Sequence, residues 1–115
     1  MPLNKTGLTL LATTLQGVLL FGQLHSGPAG ADGTGNVALP GRLPARWDTP
    51  DSNFGLISAM NFTGGVPGSS VYSVTFWDAE TDGGLWSEEP LTGDVTFNAA
   101  GEFQVTAIDF VGTST

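Results

Sequence analysis

Val71-Tyr-Ser-Val-Thr-Phe-Trp77-Asp78-Ala-Glu80-Thr-Asp82-Gly83-Gly84-Leu-Trp86-Ser-Glu-Glu89 is the stretch on which the fold turns. Two readings compete for it. Asp78, Glu80 and Asp82 at alternate positions, Gly83 at the sixth and Glu89 at the twelfth track the calcium loop of a helix–loop–helix site, with Glu80 where Asp or Asn is usual. Such a loop needs a helix on either side. Here the flanks alternate with period two: Tyr72, Val74 and Phe76 share one face, Trp77 takes the other, and Leu85-Trp86-Ser87 is strand-like. Asp82-Gly83-Gly84 is a turn signal. A β-hairpin with solvated carboxylates explains the same residues, and calcium at Asp78, Glu80, Asp82 and Glu89 is the lesser reading.

The same alternation extends outward in both directions. Phe54, Leu56, Met60 and Phe62 share a face of one strand, with Ser58 as the polar gap. Val95 and Phe97 alternate with Asp94, Thr96 and Asn98. Phe103, Val105 and Ala107 point one way, Ile108 and Phe110 the other, so a bulge or edge is expected near Ala107. Gly64-Gly65-Val-Pro-Gly68 marks another turn. With Ala45–Thr49 and Leu85–Glu89, about seven short strands result, which suits an antiparallel β-sandwich over residues 44–111.

Toward the N-terminus the period changes. Leu8, Leu11, Leu15 and Val18 follow one helical face, Asn4 is a fair N-cap and Gly17 suits a left-handed C-terminal residue, so a short helix is expected over residues 5–16. Val18–Leu24 is a continuous apolar run, as in a strand covered on both faces. Residues 25–43 hold five glycines and two prolines; this long loop is expected to be functional or held by a neighbour. Residues 8–24 resemble the core of a secretion signal, but Thr9, Thr13, Thr14 and Gln16 interrupt it, and a folded N-terminus is the expectation.

Composition bounds the function. A chain of 115 residues is expected to form a single domain. It has 17 Gly, 7 Pro and no Cys, which implies many turns and excludes disulfides and thiolate chemistry. The net charge is −8, with Lys5, Arg42 and Arg46 the only cations. Nucleic acid is therefore an unsuitable partner, because three scattered cations cannot neutralise a phosphate backbone, and an anionic membrane would repel the chain.

No residue cluster reads as catalytic. His25 is the single histidine, so a zinc site would have to be completed by carboxylates. There is no G-x-S-x-G elbow, and Glu88-Glu89 looks like solvated surface rather than half of a glycosidase pair. Neither an enzyme nor a cofactor is expected. Trp77 and Trp86 could form a sugar-stacking platform, but a second apolar sheet face reads first as packing against a neighbouring subunit.

The order of motifs resembles a family of small bacteriophage tail fibre-like and minor tail proteins. The strand ending in Leu24-His25-Ser26, the small-residue loop through Asp32 to Asn36-Val37, Pro44-Ala45-Arg46-Trp47, Phe76-Trp77-Asp78-Ala79 with Gly83-Gly84-Leu85, and Ala100-Gly101-Glu102-Phe103 are similar to that family's successive signatures. Ser26 stands where the family has Thr and Pro44 where it has Tyr, and no acidic residue precedes Val37. The resemblance implies a non-enzymatic β-sandwich component located in the virion, a homo-oligomer (a trimer) that docks on other phage tail or capsid proteins, and no catalytic residues. Leu8, Leu11, Leu15, His25, Trp47, Trp77 and Trp86 are the expected assembly contacts. A capsid decoration protein and a carbohydrate-binding module are the alternatives.

Overall fold

The computed structural model describes residues 5–48, 53–92, 95–106 and 108–111. Helix α1 (Lys5–Gln16) is followed by eight strands: β1 (Phe21–His25), β2 (Leu43–Pro44), β3 (Asn53–Gly55), β4 (Met60–Phe62), β5 (Ser73–Trp77), β6 (Leu85–Pro90), β7 (Phe103–Val105) and β8 (Asp109–Val111). All pairings are antiparallel. One four-stranded sheet runs β2-β1-β5-β6, and two small ladders join β3 to β8 and β4 to β7. The small antiparallel β-rich fold with one N-terminal helix expected from the residues is the one observed. Its dimensions are 46 × 24 × 23 Å with a radius of gyration of 14.6 Å, above the roughly 13 Å of a fully compact chain this long.

The register of β1 against β5 explains the apolar run. Gly22 opposes Phe76 and Leu24 opposes Val74 on one face; Phe21, Gln23 and His25 oppose Trp77, Thr75 and Ser73 on the other. The first face meets Phe54, Met60, Phe62 and Val105 of the ladders, and Ile108 just before β8, in one buried cluster, with Trp47 packed edge-on against Phe54 and tilted against Phe76 at its margin. Gly22 lets the core pack close to the strand, since a Cβ there would come within 2.6 Å of Met60 Cε and displace the end of that side chain.

Several expectations are corrected. The Phe54–Phe62 strand is two strands, β3 and β4, parted by a bend at Ile57–Ser58 that leaves Ile57 in solvent, because each half pairs with a different partner. Of the expected 45–49 strand, residues 45–48 contribute only the bridge Trp47–Leu56, β2 lying just before them, and residues 95–98 contribute only the bridge Ser70–Thr96. Gly17 ends α1, but not with positive φ: its N–H bonds to Thr14 O and Leu19 N–H to Leu15 O, so a tightened last turn satisfies the carbonyls. The β-domain begins at β1, which is central to the large sheet, rather than at residue 44. Asn4, Thr49, Asp94 and Ala107 lie outside the described residues.

Candidate functional site

The second face of the large sheet is where most of the chain's buried polar chemistry collects. Gln23, His25, Ser73 and Thr75 are all buried there beside Trp77. Such groups are tolerated in a dry site only when paired, and here each is. Thr75 Oγ1 lies 2.8 Å from Trp77 Nε1 and 2.8 Å from His25 Nε2, while His25 Nδ1 lies 2.7 Å from Gly35 O. A carbonyl can only accept, so Nδ1 carries the proton in the neutral ring. Nε2 then accepts from the Thr75 hydroxyl, which itself accepts from the Trp77 indole. The relay Trp77→Thr75→His25→Gly35 spends every donor; a 3.4 Å approach of Thr75 Oγ1 to Gln23 O is the weaker competitor.

What covers this face is the Gly/Pro-rich loop itself. Its neck is closed by Ser26 N–H to Asn36 O and Ala38 N–H to Leu24 O, and its interior by Gly35 N–H to Ala29 O and Asn36 Nδ2 to Pro28 O. Glu88 Oε2, on the edge strand, accepts from the Ser73 hydroxyl at 2.6 Å and from Ala29 N–H at 3.0 Å, which ties the loop to the sheet. Gln23 Nε2 holds the far end at Leu39 O and Pro40 O. Gly33, at φ 74°, rests flat on the Trp77 ring, where a Cβ would come within 2.7 Å of the indole. Arg42 also packs over the ring, its guanidinium 3.9 Å from the ring centroid and its Nη1 bonded to Ala79 O and Asp82 O. The loop is thus held within its own chain.

This corrects the assembly contacts. His25 and Trp77 are buried within the chain, at 0% and 5% exposure, and Trp47 donates its indole N–H to Leu19 O while stacking on the core. His25 and Trp77 therefore present no open surface, whereas Trp47 is only half-buried. Trp77 and Trp86 cannot make a joint sugar platform, because one is covered and only Trp86 is exposed. In α1, Leu8 and Leu15 are half-buried and Leu11 is half exposed. Leu10, which the periodicity leaves off the apolar face, is 67% exposed. The signal for it was present, as a leucine on the polar side of the helix.

The 78–84 segment is a hairpin loop. Asp82 and Gly83 both take positive φ, which lets the loop reverse direction between β5 and β6. Asp78, Glu80, Asp82 and Glu89 do not converge, and among the described residues no three carboxylates or histidines could hold a metal ion. Asp78 instead closes the turn, accepting from Gly84 N–H at 2.8 Å and from Trp86 Nε1 at 3.1 Å. The Gly84 N–H, then the Trp86 indole, hold its carboxyl below the usual carboxylate range. A depressed folded-state pKa stabilises above the unfolded value and is lost as pH falls through the folded one. Amide-exchange protection of Gly84 is therefore expected to be constant above about pH 4 and to fall below it. Asp78→Asn should flatten that dependence; an unaltered acid profile in the variant would refute the assignment.

Shallow clefts of about 290–320 Å³ line the ladder edges, one of them between Leu39–Leu43 and Phe62–Gly64. No helix among the described residues is long and apolar enough to cross a membrane. Compared with known proteins, the chain matches no family model, and no curated protein or solved structure matches it.

Proposed function

We propose that this chain is a structural component of a bacteriophage virion, a tail or tail-fibre protein that acts by self-assembly and docking on other virion proteins rather than by catalysis. The observation that carries the reading is α1: it lies at the margin of the core with Leu10 and Leu11 turned to solvent, while the sheet face that could have bound a ligand is sealed by the chain's own loop. The ordered series of motifs similar to small phage tail proteins supports the same reading. Several of those motif residues, His25, Trp77 and Gly84, are ones that hold the loop and hairpin in place.

Quantitative mass spectrometry and labelling of purified particles test it. A tail position with a few to dozens of copies per particle is the expected result. Hundreds of copies on the capsid would replace it with a decoration protein that uses the same surface, and absence from the particle would overturn it.

A further inference from the structure

We infer that two copies of this chain pair through α1, antiparallel, about a two-fold axis that passes between Leu10 and Leu11. The inference rests on the self-assembly reading and names its contact. At 100° per residue, Gly7, Leu10, Leu11 and Thr14 fall within about 100° of arc, a seam wide enough for one helix neighbour. The helix spans residues 5–16, so Leu10 and Leu11 straddle its midpoint. Gly7 stands three residues before Leu10 and Thr14 three after Leu11, which makes the seam symmetric about its centre. Antiparallel pairing then sets the small Gly7 of one copy opposite Thr14 of the other, with the exposed leucines meeting at the axis.

Electrostatics choose the occupant. The chain carries −8 overall, yet residues 6–31 contain no Asp, Glu, Lys or Arg. Two such molecules repel through most surfaces and can approach through this one. The first turn of α1 has no acidic residue and the last no basic one, so neither end of the helix dipole is offset by its own side chains. In an antiparallel pair each N-terminal end lies beside the partner's C-terminal end, so the two uncompensated helix dipoles attract each other. The seam offers no stray hydroxyl either: Thr14 Oγ1 donates back to Leu10 O at 2.9 Å, as the neighbouring Thr13 does to Thr9 O.

Sedimentation equilibrium of the full chain should give twice the 11.9 kDa monomer mass, and Leu10→Asp/Leu11→Asp should weaken association at least about tenfold while circular dichroism stays unchanged. The chain has no cysteine, so single cysteines report geometry. Leu11→Cys should cross-link to itself on oxidation. Thr14→Cys should not, but should link to Gly7→Cys when the two variants are mixed. A Thr14→Cys self-link would mean a parallel or three-fold arrangement and overturn the pair while leaving self-assembly intact. An oligomer that survives the Asp substitutions would do the same. A wild-type monomer at all concentrations overturns the inference, and its binding to phosphatidylcholine vesicles would make a lipid surface the occupant; neither result alters the test for presence in the particle.

Discussion

Trp77→Ala is expected to destabilise the protein by about 3–5 kcal/mol, the range for truncating a buried aromatic side chain. In a domain of this size that lowers the melting temperature by roughly 10–20 °C. The indole is in contact with the Gly33 backbone and the Arg42 guanidinium, and its N–H enters the buried relay at Thr75. Removing it leaves a void that neither neighbour can fill: Gly33 has no side chain, and Arg42 is fixed by two carbonyls. Trp86→Ala, two strand positions from the turn, should cost about 1 kcal/mol or less, because that ring is 53% exposed and loses only its bond to Asp78. Thermal unfolding of the two variants side by side checks the contrast. Equal effects would mean that the loop does not seal the sheet.

Thr75→Val tests the relay without changing shape. Valine fills the same space, so the packing of Thr75 is kept while the hydroxyl is lost. Trp77 Nε1–H and His25 Nε2 are then left without partners in a site closed to water, at about 1–3 kcal/mol each. A loss of about 2–6 kcal/mol in urea denaturation is the expected outcome. Thr75→Ser should recover most of it. Ser73→Ala on the same strand is expected to cost about 1 kcal/mol, since Glu88 retains the Ala29 N–H. A neutral Thr75→Val would show that the three side chains are not coupled. A double-mutant cycle with His25→Phe isolates the coupling itself, because residues that share one hydroxyl are not additive.

These effects explain why one sheet face was legible and the other was misread. Val74, Phe76 and Leu24 announce a core face by alternation, and they form it. Ser73, Thr75 and Trp77 on the opposite face gave no signal of burial, since two of the three are hydroxyl residues and the third could serve any apolar neighbour. The part of the loop that covers them, residues 26–36, is rich in glycine and has no apolar side chain larger than alanine or proline. It buries the face by backbone contact and hydrogen bonds, and hydrophobic patterning does not record those.

Local chemistry alone was enough for α1 at residues 5–16, the β5–β6 hairpin with its Asp82-Gly83 turn, and the antiparallel β class, because each depends on near neighbours in the chain and on side-chain period. Tertiary structure alone decided which strands pair, that Phe54–Phe62 divides between two ladders, and that the loop folds back onto Trp77 rather than onto another molecule. Those outcomes rest on contacts between residues far apart in the chain, such as Glu88 with Ala29 and Thr75 with His25. Nothing in the local pattern of either partner encodes the other, so only the folded chain brings them together.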